Sequence, residues 1–423
     1  MFNIDQVITE RVLRGHAASA EAHVEWNTRL ESFQQDAEGV TVMLRSGDGE
    51  DAAQETVRAN YLWGCDGGRS TVRKLLGLPL KGETAATWLT ADAIVHTNLE
   101  RDTIHSLSSP SGALMMFPFP DPNKWRLLDT SGEGELEQPE QIARQFSAKL
   151  SQALEREIVV DPPTWTAKFT IQQRAVPAMH VGRCFVSGDA AHVHSPASGR
   201  GLNTGIQDAY NLAWKLAMVV HGQADAVLLE TYDAERVRIG QALLTSTGAV
   251  TNSAMADTAR NTQNSDQVFI RQLIWNASGL NIAYTDSPLT VPDDEPGKGP
   301  RPGQRLTQIS AADAQSPGWI VLRALLRTSA WHLLVFAGSG LSTTQDQVSA
   351  ATAPDWLEKV TISPRRLNGE AHGVWDSDGR VQDTLAATAG DWILVRPDGY
   401  LSARGSGDTS LRDALGQLTS LNM

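Results

Sequence analysis

An α/β fold is what this sequence predicts, and three observations predict it. A short apolar run, Cys184-Phe185-Val186, breaks at Ser187-Gly188-Asp189 into a loop of small residues, and a long helical pattern then begins near Gly201. A shorter version of the same order lies upstream: Tyr61-Leu62-Trp63, then Asp66-Gly67, then a helical Ser70–Leu76. Between the two, residues 80–178 alternate like the strands of an antiparallel sheet. At 423 residues the chain has room for about two or three domains.

Taken in order, residues 4–20 read as a helix with Ile4, Val7, Ile8, Val12 and Leu13 facing inward. Val24–Phe33, Val40–Leu44 and Thr56–Arg58 alternate around turn residues and predict a small antiparallel meander. It runs into Asp66-Gly67. Gly67 lets backbone approach a ligand closely, and Ser70 and Arg73 can donate to phosphate. An Asp-Gly turn with an Asp or Ser helix cap is the plainer alternative.

Within 80–178, Thr87–Val95, Ala113–Phe119, Trp125–Leu128 and Thr164–Ile171 read as strands, and Gln138–Arg156 as a helix. Met115, Met116, Phe117 and Phe119, set among Pro118 and Pro120, either face a pocket or fill a core, with Met115 and Phe117 as the candidate substrate contacts. In the helix after Gly201, the residues Leu202, Ile206, Ala209, Ala213, Leu216 and Val220 step by three or four, which predicts one buried face. Gly222 sits where that helix would end. A helix start has free N–H groups and a positive dipole end, so the glycine loop before it suits an electron-rich ligand; tight packing is the alternative.

A second helical pattern covers Ala224 to about Leu244 and continues to about Gly279. Residues 286–303 (DSPLTVPDDEPGKGPRPG) have linker composition. Beyond them Trp331–Phe336, Lys359–Ile362 and Trp392–Val395 read as buried strands of a separate unit, 304–423, with a turn at Arg396-Pro397-Asp398-Gly399-Tyr400.

Composition excludes several classes. Forty-one per cent hydrophobic and 20% charged residues describe an ordinary globular protein, and a net charge of −13 argues against nucleic acid and anionic membrane surfaces. No apolar run approaches the roughly 18 residues of a membrane span, and the amino-terminus lacks a secretory pattern. The two cysteines, Cys65 and Cys184, lie in strand-like runs and read as structural thiols, which fits a cytoplasmic protein. His192 and His194 lack the companion ligands of a zinc site, so no metal is expected.

The motifs are more specific than their geometry. Gly188-Asp189-Ala190-Ala191-His192, Pro196, Gly199, Gly201, Leu202, Asn203, Gly205, Asp208, Asn211, Leu212, Trp214 and Lys215 closely resemble the second flavin motif of class A flavoprotein monooxygenases of the para-hydroxybenzoate and phenol hydroxylase type. Asp66, Gly67, Ser70 and Arg73 match that family's Asp-Gly motif, and Tyr232, Glu235 and Arg236 resemble positions of its next helix. The resemblance implies a glutathione-reductase-like FAD domain (1–79 and 179–285) with an inserted antiparallel-sheet substrate domain (80–178). After the 286–303 linker it implies a thioredoxin-like domain (304–423). No cysteine lies beyond Cys184, so that last unit has no dithiol chemistry and implies packing or a homodimer contact.

By resemblance the cofactor is FAD, with NAD(P)H and O2 as co-substrates and an aromatic small molecule as substrate. Asp189 would bond the ribityl region, and Pro196 would line the flavin face. Backbone around Gly199, Gly201, Leu202 and Asn203 would meet the pyrimidine edge, with Asp66, Gly67 and Arg73 on the pyrophosphate side. No residue marks itself as a catalytic base.

Two departures from the family follow. Ser198 stands where the family has glycine, and no G-x-G-x-x-G unit precedes the meander. The second leaves open a fragment, a non-catalytic homologue or a chain completed by a partner. The expectation is therefore an FAD-dependent aromatic or polyketide hydroxylase, with a flavin-deficient binding or assembly protein as the alternative.

Overall fold

Helix α1 (Gln6–Ser19) leads into strands β1 (Thr28–Gln35), β2 (Val40–Ser46) and β3 (Ala53–Ala59), then β4 (Leu62–Gly64) and α2 (Thr71–Leu75). The computed structural model describes residues 6–47, 49, 52–109, 112–131, 138–194, 201–242, 278–293, 299–306, 310–338, 355–366 and 372–419. The expected meander is present: β1, β2 and β3 pair antiparallel in that order. The inward face of α1 is not. Ile4 lies outside the described residues, and Val7, Ile8, Val12 and Leu13 are 43–63% exposed. Apolar spacing gave the helix an apolar stripe, but no described element packs against it.

The middle of the chain is one large sheet. Strands β5 (Lys81–His96), β6 (His105–Ser109), β7 (Gly112–Pro118), β8 (Lys124–Asp129), β9 (Val159–Val160) and β10 (Trp165–Ala175) surround helix α3 (Pro139–Leu154). The order β10-β5-β8-β7-β6 is antiparallel throughout, with β9 on the far end of β5. Ile142, Phe146 and Leu150 of α3 cover one sheet face, packing on Ala91, Val95, Leu114, Met116 and Leu127. The side-chain period of two sends their neighbours to the opposite face, where Trp88 and Leu128 meet Met115 and Phe117.

The chain returns through β11 (His180–Val181) and β12 (Cys184–Val186). Strand β12 pairs parallel with β4, so both motif-bearing loops leave the same end of one sheet. After β13 (His192–Val193), which joins the edge of β10, come α4 (Gly201–Val220) and α5 (230–242).

Helix α4 exists as predicted, but its buried face differs. Leu202, Ile206 and Val220 are 46–58% exposed, while Thr204, Asp208, Asn211, Leu212, Trp214, Lys215 and Met218 are buried. Counting only apolar residues selects the wrong face here, because the polar residues of the inner face are paired with one another and with neighbouring elements.

The last unit holds α6 (Pro317–Leu325), β14 (Trp331–Phe336), β15 (Leu357–Ser363), β16 (Gly373–Trp375), α7 (Arg380–Leu385), β17 (Asp391–Val395), β18 (Leu401–Ser406) and α8 (Gly407–Thr419). Its sheet runs β16-β15-β14-β17-β18, with β14, β15 and β16 parallel and the last two strands antiparallel. The stretch expected to be a free linker is instead strapped to this sheet. Leu289 is fully buried, Val291 N–H donates to Ser402 O at 2.8 Å, and Gly303 N–H donates to Leu401 O at 2.8 Å. One apolar cluster joins the units: Trp214 and Met218 of α4 pack with Leu289, Trp331, Trp392 and Leu394.

Candidate flavin site

The loop after β12 and the turn after β4 lie side by side because their strands pair in register, Phe185 with Trp63 and Val186 with Gly64. Gly188 has φ +58°, a conformation that a side chain disfavours, and a Cβ placed on Gly205 would come 3.3 Å from its Cα. Two glycines thus let the loop lie against the first turns of α4. Gly201, Leu202 and Asn203 form that helix start, whose first turn carries no acid, and the ring of His194 sits beside Gly201. Pro196, Ser198 and Gly199 fall outside the described residues.

Asp189 is exposed on the loop and has no hydrogen-bond partner among the described residues. Partial desolvation by the loop around it raises its pKa, with nearby His192 pulling the other way. A carboxylate in this setting, beside the positive end of a helix, accepts hydrogen bonds from ligand hydroxyls. The cradle therefore fits a flavin: open backbone, positive helix end, one free acceptor.

The Asp-Gly turn is built differently from its expected role. Asp66 accepts from the Ser70 hydroxyl and from the N–H groups of Thr71 (2.6 Å) and Val72 (3.1 Å), so its carboxylate caps α2. Ser70 in turn accepts from Arg73 N–H at 2.9 Å. Arg73 is 5% exposed, and its guanidinium donates to Gly68 O (2.9 Å) and Ala190 O (3.1 Å). It bridges the two motif loops. Gly67 has φ +75°, with open space where a Cβ would sit, so this turn offers bare backbone to a ligand.

Four residues whose roles the sequence left unassigned hold the loop from behind. Asp208 is fully buried: its Oδ2 accepts from Gly188 N–H (3.0 Å) and pairs with His192 Nε2 (2.7 Å), and its Oδ1 accepts from Arg236 Nε (2.7 Å). Burial alone would raise its pKa, but the Arg236 charge and His192 outweigh that and hold the carboxyl below its usual range. Tyr232 hydroxyl donates to Val186 O (3.0 Å) and bonds Ser187 Oγ (2.6 Å). The signal for this set was a polar series, Asp208, Asn211 and Lys215, on an otherwise apolar helix.

Met115 and Phe117 are half-buried on the sheet face away from α3, beside Trp88 and Leu128. On the same face Arg126 makes a two-pronged pair with Asp92, at 2.8 and 2.9 Å, and its guanidinium lies over the rings of Phe119 and Trp165. Among the described residues this face is largely apolar and aromatic and carries the Arg126–Asp92 pair. Cys184 is fully buried, and burial pushes its thiol up to about 11, which makes it a packing residue. No helix among the described residues is long and apolar enough to cross a membrane.

Comparison with known proteins places the chain in a family. A family described as "FAD binding domain" matches residues 1–247. The 6-methylpretetramide 4-monooxygenase of Streptomyces rimosus is 40% identical over 426 residues, covering 96% of this chain and 74% of that enzyme. The pentachlorophenol 4-monooxygenase of Sphingobium chlorophenolicum is 30% identical over 94% of this chain and 74% of its own length. Among solved structures, an anhydrotetracycline hydroxylase from Streptomyces rimosus superposes with a TM-score of 0.71 at 26% identity, over 98% of this chain and 79% of that one.

Proposed function

The chain belongs to the FAD-binding domain family of flavoprotein monooxygenases, and from that premise we propose that it hydroxylates a phenolic, polyketide-like aromatic molecule using NAD(P)H and O2. FAD is the cofactor. Bound flavin supplies the redox chemistry that activates oxygen. The chain's own part is to hold the ring, orient the substrate and exclude water.

One arrangement carries the reading: the Gly188-Asp189 loop lies on Gly205 at the start of α4, with the Asp189 side chain exposed and making no hydrogen bond among the described residues. In the proposed complex Asp189 accepts from ribityl hydroxyls, and the N–H groups at Gly201, Leu202 and Asn203 face the electron-rich edge of the flavin ring. The described residues leave Asp66 and Arg73 a different task from the one their motif implies. Asp66 fixes α2 and Arg73 fixes the spacing of the two loops, so Gly67 backbone is the part of that turn proposed to reach the cofactor.

Met115 and Phe117, with Trp88 and Leu128, are proposed as the substrate wall, since a flat apolar and aromatic face suits a fused-ring phenol. Similarity to polyketide-ring hydroxylases supports the polyketide-like class. The finer architecture also belongs here. Residues 80–178 are read as a substrate domain inserted into a glutathione-reductase-like domain, and residues 304–423 as thioredoxin-like. The latter rests on the order β15-β14-β17-β18, with one parallel pairing, β14 with β15, followed by two antiparallel ones. The flavin-deficient alternative is not favoured, since the relatives that cover most of this chain are named monooxygenases.

The test is direct. The purified chain is titrated with FAD, following visible absorbance and quenching of flavin fluorescence, then mixed with NADPH, O2 and an anhydrotetracycline-type phenol. Saturable flavin uptake and a product heavier by one oxygen are expected. Absence of flavin uptake by folded protein overturns the reading.

A further inference from the structure

The carboxyl-terminal unit reaches the flavin loop through a chain of fully buried charges. Glu235 on α5 receives five donors: Arg396 Nη1 at 2.5 Å and Nη2 at 2.9 Å, Lys215 Nζ at 2.8 Å, Asn211 Nδ2 at 2.7 Å and Ser287 Oγ at 2.5 Å. Arg396 comes from the turn after β17, in the last unit of the chain. It is held in turn by Asp398, whose carboxylate also accepts from Trp214 Nε1 at 3.2 Å. Glu235, Lys215 and Arg396 have no exposed side-chain surface. Burial lowers the Lys215 pKa most, to about 8, with Arg396 adding to the effect and Glu235 opposing it.

The next residue on α5 faces the other way. Arg236 donates to Asp208, which receives Gly188 N–H and His192. Tyr232, one turn earlier, bonds Val186 and Ser187 at the end of β12. Helix α5 is therefore gripped on one side by the carboxyl-terminal unit and grips the flavin loop on the other. Helix α4 is gripped as well, through Asp208, Asn211 and Lys215 on successive turns.

We propose that the carboxyl-terminal unit positions the flavin loop, and that Arg396 is the positioning residue through which it does so. The proposal rests on the flavin reading only for its consequence; the mechanical link stands on the unliganded chain. A buried ion pair is costly to form unless its geometry is complete, and removing one member leaves an uncompensated charge. Loss of Arg396 leaves Glu235 with Lys215 alone as a cationic partner, and the easiest relief is a shift of α5. A shift of α5 moves Arg236 and Tyr232 together, and Gly188 with them.

Hydrogen exchange on the 423-residue chain without FAD tests this link, comparing Arg396→Lys with Val360→Ala. The latter opens the core of the carboxyl-terminal sheet away from the charge chain. Arg396→Lys is expected to raise exchange at Gly188, Ala190 and Ala191 by roughly tenfold, about 1.4 kcal/mol of local opening. Val360→Ala is expected to raise it only within β14, β15 and β17. If Arg396→Lys does not fold, Asp398→Asn loosens Arg396 without removing it and is read the same way.

Faster exchange confined to residues 391–406, or an equal rise at Gly188 in Val360→Ala, overturns the proposal. FAD titration of the same proteins is a separate readout. A native-like loop that binds no FAD counts against the flavin reading and leaves the link standing.

Discussion

Arg73 donates to the carbonyl of Ala190 at 3.1 Å, and through that bond the turn after β4 and the loop after β12 become one surface. The guanidinium is buried, and burial lowers its pKa, with Asp66 acting in the opposite direction. Its second bond, to Gly68 O, completes the bridge. Arg73→Ala leaves the buried Ala190 carbonyl without its donor and frees the exposed Gly68 carbonyl to water, so urea denaturation should show a loss of about 1–3 kcal/mol. Arg73→Lys should recover less than half of that, since an ammonium cannot span both acceptors as a planar fork does. A loss under about 0.5 kcal/mol in Arg73→Ala would show that the bridge is not needed.

Gly188→Ala places a Cβ at φ +58°, and that Cβ meets Gly205 Cα at an ordinary 3.7 Å. The cost is backbone strain of roughly 1–2 kcal/mol. Relief of that strain tilts the loop, and FAD affinity measured by fluorescence quenching should fall at least tenfold. Val360→Ala, which opens a remote core, should leave FAD affinity unchanged. Equal FAD affinity in native and Gly188→Ala chains would falsify the placement of the flavin on this loop.

Acid should attack the buried charge chain through Glu235. Burial raises its pKa, but Arg396 and Lys215 more than offset that, so the folded pKa lies below the unfolded value of 4.5. A depressed carboxyl contributes stability that is full above the unfolded pKa and is lost as pH falls below it toward the folded pKa. Stability measured from pH 6 to 3 should therefore drop below about pH 4.5. In Glu235→Gln the same curve should be flatter, by up to about 1.4 kcal/mol per pH unit for this one proton. Parallel curves for the two proteins would assign the acid sensitivity elsewhere.

Adjacent residues of β7 should separate function from packing. Phe117 is half-buried on the open sheet face, and Met116 is fully buried under α3. Met116→Ala is expected to cost about 2–5 kcal/mol of stability. Phe117→Ala should cost far less, yet weaken binding of the aromatic substrate and raise NADPH oxidation that yields no product. Unchanged substrate binding and coupling in Phe117→Ala would remove this face from the site.

How far the sequence could be read differs by element. The strands, the meander and helices α2, α3 and α4 were legible because period and turn residues are local properties. The buried face of α4 was not. Its inner residues Asp208, Asn211 and Lys215 are polar, and only their partners on α5 and in the turn at Arg396 make burial tolerable. The apolar stripe of α1 misled in the opposite direction, for it meets no partner among the described residues. Residues 286–303 have linker composition, yet the carboxyl-terminal sheet uses Leu289 as core and Val291 as a strap.

The sequence by itself determined the family and marked the loop proposed to meet the flavin, because the Gly188–Lys215 motif is contiguous and its glycines and acids are diagnostic in order. Tertiary structure alone decided what Asp66, Arg73, Asp208, Glu235 and Arg396 do. Each is a charged residue whose role depends on which groups, up to 161 positions away in the chain, share its buried surroundings. Burial strengthens electrostatics only where partners converge, and convergence is a property of the fold.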